Sequence, residues 1–185
     1  MYPNHLHTDR RFPDEIIAIP HQDKQVIEVI LLKQEILHDI EDGIRDLDRN
    51  RDTNLPDLLP EGADSSYMLR RHIDTAVNQA VSRCQAYLLL PSPFVHRIST
   101  NHAGDWEEKS IYLAMPRNWP PHLIDSLRDS VHNYIVDRAI QLFLRRKDQN
   151  ASQVCDAQAT VFWNEINTAL NARLGPMRCH PTFLG

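Results

Sequence analysis

The chain has 185 residues, 42% of them hydrophobic and 24% charged, which is enough apolar material for one compact domain with its own core. Five glycines and twelve prolines are too few for a fibrous or low-complexity chain, and a formal charge of −5 argues against a surface that wraps nucleic acid. No apolar run approaches the roughly 18 residues that a membrane-spanning helix needs.

Residues 1–22 hold three prolines and three histidines without any period, and read as an arm that is extended or docked on a neighbour. The first residues also lack the basic start and apolar stretch of a secretory signal. Asp23 is then a plausible N-cap. From there Val26, Ile30, Leu37, Ile40, Ile44 and Leu47 recur at helical spacings, which predicts one long helix over 23–49. Lys33 falls in phase with that stripe and would have to snorkel, while Glu35, Asp39, Asp42 and Asp46 make the opposite face acidic. A polar connector with two prolines follows over 50–64. Ser65 or Ser66 then caps a second helix, whose stripe is Leu69, Ile73, Ala76, Val77, Ala80, Val81, Cys84 and Tyr87.

The period changes from 3.6 to 2 after Pro91. Phe94, His96 and Ile98 alternate with Val95, Arg97 and Ser99, and Ile111, Leu113 and Met115 share one face further on. With Gly104 in the loop between them, these stretches predict a β-hairpin over about 94–115. Two strands are marginal by themselves, so the hairpin must lie on helices or on another subunit. A third helix over about 121–146 carries Ile124, Leu127, Val131, Tyr134, Ile135, Ala139, Leu142 and Phe143, and ends in Arg145-Arg146-Lys147. The last helix, about 152–174, carries Cys155, Ala159, Phe162, Ile166, Ala169 and Leu170, and Gly175-Pro176 stops it. The predicted fold is mainly α: a bundle of about four helices with one β-hairpin inserted between the second and third. It divides into an arm (1–22), a helical domain (23–176) and a tail (177–185).

Candidate chemistry is sparse. Cys84, Cys155 and Cys179, spaced 71 and 24 residues apart, fit neither a disulfide framework nor a zinc ribbon, and suit a reduced environment. Glu35 and His38 form a Glu-x-x-His, the unit of di-iron bundles, but there is no second copy. The acidic run from Asp46 to Asp57 has oxygen ligands at suggestive spacings, yet neither register puts Gly sixth and Glu twelfth, as a calcium loop requires. Asp125, Asp129 and His132 share a helical face and form a surface ion pair or an acid–base group. No phosphate-cradling or nucleophile-elbow motif occurs. Residues 1–60 carry 7 Lys/Arg against 13 Asp/Glu and residues 116–185 carry 8 against 6, a polarity that would let copies stack head to tail. Trp106 and Trp119 bracket the second strand, where an aromatic either packs the strand down or anchors a partner. Trp163 flanks the stripe of the last helix.

Two stretches carry a resemblance. One is Trp106-Glu107-Glu108-Lys109-Ser110-Ile111-Tyr112-Leu113-Ala114-Met115-Pro116-Arg117-Asn118-Trp119, followed by Asn133-Tyr134-Ile135-Val136 on the next helix. The other is Ala169-Leu170-Asn171-Ala172-Arg173 followed by Arg178-Cys179-His180-Pro181-Thr182-Phe183. Over residues 65–183 the chain resembles small structural proteins of tailed phages and prophages, of the head–tail connector or neck kind. The resemblance implies a non-enzymatic virion protein without a cofactor, assembled in the host cytoplasm as a homo-oligomeric ring between portal and tail. It implies contact with portal, tail or other neck proteins, possible non-specific contact with packaged DNA, and no membrane. The interface residues expected on this reading are Trp106, Ile111, Leu113, Trp119, Arg178, His180 and Phe183. The competing expectations are a cytosolic helical adaptor protein, or a metal-binding four-helix-bundle enzyme built on Glu35 and His38.

Overall fold

The computed structural model describes residues 24–50, Leu58, 63–89, 96–100 and 106–174. Strand β1 (Lys24–Leu32) runs directly into helix α1 (Lys33–Arg49). Helix α2 (Ala63–Arg83) follows, then strands β2 (His96–Thr100) and β3 (Trp106–Pro116), and then helices α3 (Ile124–Leu144) and α4 (Gln149–Asn171). The expected mainly α bundle is found, with four helices and an antiparallel hairpin between the second and third.

The start of the domain needs a correction. The helix expected from residue 23 begins only at Lys33, and residues 24–32 are a strand. Val26, Ile27, Val29 and Ile30 are β-branched and fit a pleated surface, whereas Lys33, Gln34 and Glu35 are straight-chain at Cβ and favour a helix. The core set alternates as Ile27, Val29 and Leu31, so Val26 and Ile30, which matched the helical period, face away from the core. Leu32 caps α1 without a side-chain hydrogen bond, and Glu35 in the first turn complements the helix dipole.

The extra strand solves the hairpin's stability problem. β3 is the centre of a three-stranded sheet in the order β1-β3-β2. β1 pairs antiparallel with it from Lys24 opposite Pro116 to Leu32 opposite Glu108. β2 pairs on the other side from His96 opposite Ile111, with an irregularity at Ser99/Thr100. An isolated bridge between Leu88 and Leu113 extends that second edge. One face of the sheet, with Ile27, Val29, Leu31, Ile111, Leu113 and Met115, is sealed against the helices.

α3 is the central helix. It buries nine residues on more than one side, from Leu127 to Leu144, and packs on α4, α2, α1 and β1. α4 folds back on it after a short link, where Asp148 Oδ1 accepts from the Ala151 N–H at 2.9 Å as an N-cap. The stripe expected for α4 holds: Cys155, Ala159, Ile166, Ala169 and Leu170 are buried and Phe162 is partly so. α1 lies alongside α3 at Gly43, where a β-carbon would stand 2.9 Å from Ile140 Cδ1.

Asp48 near the end of α1 accepts from the Leu58 N–H at 3.1 and 3.0 Å, and Lys147 after α3 donates to the Leu58 carbonyl at 2.7 Å. Asp48 at the acidic end of α1 and Lys147 of the basic 145–147 cluster therefore lie close together, joined through Leu58.

Candidate functional site

Of the seven residues expected at an interface, three are core. Ile111, Leu113 and Trp119 are 4%, 1% and 1% exposed. Ile111 and Leu113 lie on the sheet face that meets the helices, so their apolar area is already used within the chain. Trp119 closes the end of β3: its N–H donates to the Pro116 carbonyl at 2.9 Å and its indole Nε1 to the Ala169 carbonyl at 2.7 Å. Its own carbonyl accepts from Gln25 Nε2 at 2.8 Å. One residue thus joins β1, β3 and α4. These three have no surface to offer a partner, and that expectation is corrected on burial. Arg178, His180 and Phe183 lie outside the described residues.

Trp106 is different. It is half-buried, and its indole Nε1 donates to Asp74 Oδ1 at 2.6 Å. The same carboxylate oxygen takes the ammonium of Lys33 at 3.0 Å, and that ammonium also stands 4.8 Å from the Trp106 ring centre. Lys33, which had been expected to snorkel, is instead 3% exposed and held in this node. Burial pushes the Lys109 ammonium below the usual lysine range; Asp74 opposes that and Lys33 adds to it. Beside the node is an open hollow of about 60 Å³ lined by Lys33, Gln34, Leu37, Arg70, Trp106 and Glu107. The first turn of α1, α2 and the start of β3 meet there. Sequence reasoning missed Asp74. A lysine in phase with a buried stripe was the signal, because a buried ammonium calls for a carboxylate on a facing element.

The other candidates are placed as follows. Glu35 is exposed. His38 is 70% exposed and 3.5 Å from Asp42 on the next turn, outside the bundle interior where a di-iron site is built. Among the described residues no group of three or more metal-ligating side chains gathers. In the acidic run, Asp46 pairs with Arg49 at 2.6 Å and Asp48 is engaged by Leu58; residues 51–57 lie outside the described residues. His132 does not join Asp125 and Asp129. Its Nε2 lies 2.7 Å from Asp39 across the α1–α3 contact, and Asp125 pairs with Arg128 at 3.5 Å. Burial pushes Cys84 and Cys155 to about 11, so both act as small apolar groups. The Trp163 ring lies 5.9 Å from that of Tyr134 at a tilt of 56°, with the Arg83 guanidinium 4.9 Å over the Trp163 ring.

Large apolar side chains left in water form a second kind of feature. Tyr67 and Met68 on α2 are 69% and 47% exposed, and Val154 and Val161 on α4 are 53% and 55% exposed. The two valines are one heptad apart, so they share the α4 face that turns away from α3. No described helix is long and apolar enough to cross a membrane. No family model, curated protein or solved structure matches the chain.

Proposed function

We propose that this chain works by docking rather than by catalysis, as a non-enzymatic phage virion structural protein of the head–tail connector (neck) kind. It self-associates and sits between portal and tail. The observation that supports docking is the apolar ridge of Val154 and Val161 on the outer face of α4, a helix whose opposite face is already fully used against α3. The phage assignment rests on the resemblance carried by residues 106–138 and 169–183. The adhesive force is burial of apolar area, about 25 cal/mol per Å² before association costs.

The test mixes the purified chain with the portal protein encoded in the same gene cluster and follows mass by light scattering and particle shape by electron microscopy. Rings, or a stable complex with portal, are expected. Val154→Asp with Val161→Asp should abolish them while helicity and thermal stability stay unchanged. A parent chain that forms neither rings nor a portal complex overturns the reading, as does a gene neighbourhood without portal, capsid or tail genes. Stoichiometric iron or manganese in the purified protein would favour the metal-enzyme alternative instead.

A further inference from the structure

Two exposed apolar patches stand on different helices. The ridge of Val154 and Val161 on α4 continues, one turn beyond Val161, to the exposed Glu165. The whole of α4 carries Asp156 and Glu165 but no Lys or Arg. On α2 the exposed Tyr67 and Met68 share a face with the exposed Arg71, one turn beyond Tyr67. One guanidinium fixes how the two helices are aligned: Arg138 donates to Gln79 of α2 at 2.8 Å and pairs with Asp156 of α4. Met68 lies three turns before Gln79, about 16 Å back along α2, whereas Val154 is half a turn from Asp156. The two patches of one protomer therefore lie at different levels, and both stay open.

We propose that the α4 ridge takes the α2 patch of a second copy of this chain, with Tyr67 and Met68 seated on Val154 and Val161 and Arg71 beside Glu165. This rests on the docking reading above and names its partner surface. Charge favours the pairing. Among the described residues neither Arg71 nor Glu165 has an ion-pair partner, and Glu165 Oε2 accepts from Ser130 Oγ at 3.0 Å. Two α4 ridges face to face would bring carboxylates together without a cation, and two α2 patches would set guanidinium against guanidinium. The spacings match when the two helices run the same way. Tyr67 to Arg71 and Val161 to Glu165 are each one turn, and Tyr67, leaning toward the N-terminus of its helix, covers the stretch back to Val154. The tyrosine supplies a large aromatic anchor and the methionine an adaptable filler. Because the two surfaces differ, a pair of copies still presents one of each. The contact is heterologous and repeats head to tail, and a rotation that closes gives a ring.

The test follows the mass of the full-length chain by light scattering as its concentration rises. The parent should self-associate. Tyr67→Ser with Met68→Ser should block this as completely as Val154→Asp with Val161→Asp. An equimolar mixture of the two blocked variants should give dimers and nothing larger, because each supplies the surface the other lacks. Arg71→Glu and Glu165→Arg should each weaken association about tenfold, and both changes in one chain should restore it. An α2 variant that assembles like the parent overturns the proposal and assigns the ridge to two-fold pairing of α4 or to another partner. A mixture that stays monomeric also overturns it. Should the α2 variant fail to fold, the charge exchange decides, and no rescue overturns the proposal. A parent that stays monomeric alone yet binds portal overturns this contact and leaves the docking reading standing. A parent that associates through these residues but neither closes into rings nor binds portal supports this contact and overturns the connector reading.

Discussion

The two tryptophans that bracket β3 are handled in opposite ways. Trp119 is sealed and gives its indole N–H to a backbone carbonyl, so it acts as a fixed joint between β1, β3 and α4. Trp106 is only partly buried and gives its N–H to a carboxylate that is shared with a buried lysine, beside an open hollow. One end of the strand is fastened by packing, the other by charge. Packing tolerates no truncation, whereas in a charged node the cost depends on whether the charge left behind is buried or in water.

The largest effect should come at the packed end. Trp119→Ala should cost about 3–5 kcal/mol in denaturant unfolding, because it leaves a cavity and frees the Ala169 carbonyl. At the charged end, Asp74→Ala should cost about 2 kcal/mol by leaving the buried Lys33 ammonium and the Trp106 N–H without that carboxylate, while Lys33→Met removes the buried charge itself, leaves Asp74 partly in water and held by Trp106, and should stay within about 1 kcal/mol of the parent. If Lys33→Met proves the worse of the two, the node is a packing site and the contrast with Trp119 collapses. Trp106→Phe, which keeps most of the ring and loses the N–H, should cost about 1 kcal/mol.

The smallest shift is a pH effect away from both. Burial raises the Asp137 carboxyl from 3.8 to about 6. The folded state therefore holds a proton that the unfolded state gives up. The stability tied to that proton is complete below pH 3.8 and lost as pH rises through about 6. Asp137→Asn should stabilise the protein at pH 7.5 by up to about 1 kcal/mol, after discounting for solvent screening, and should flatten the pH dependence of melting between about 4 and 6.

Most of the helical scaffold could be read from spacing. Leu69, Ile73, Ala76, Val77 and Ala80 on α2, and Cys155, Ala159 and Ile166 on α4, are buried where a 3.6-residue period puts them. The first element could not, because Val26, Ile30, Lys33, Leu37 and Ile40 keep one helical phase straight across the boundary at Leu32–Lys33. Two periods overlap there, and only the partner strand, about eighty residues away in sequence, decides between them. The interface residues failed for a related reason. A period-two apolar run marks a buried strand face equally well whether the cover is a helix of the same chain or a second subunit, and here the helices supply it. Lys33 signalled that a carboxylate was needed but not which one, because Asp74 is reached by Lys33 and Trp106 from other elements.

The direct passage of β1 into α1 at Leu32–Lys33 makes this stretch intolerant of changes in length. Deleting one residue from β1 would invert the facing of every side chain on one side of the cut, and would rotate the helix behind it by about 100°. Ile36, Ile40 and Ile44 would swing out of the interior together with the strand's own inner row. Where a loop would absorb a missing residue, this join transmits it to both elements at once, so single-residue insertions and deletions over 25–36 should be far more damaging than substitutions.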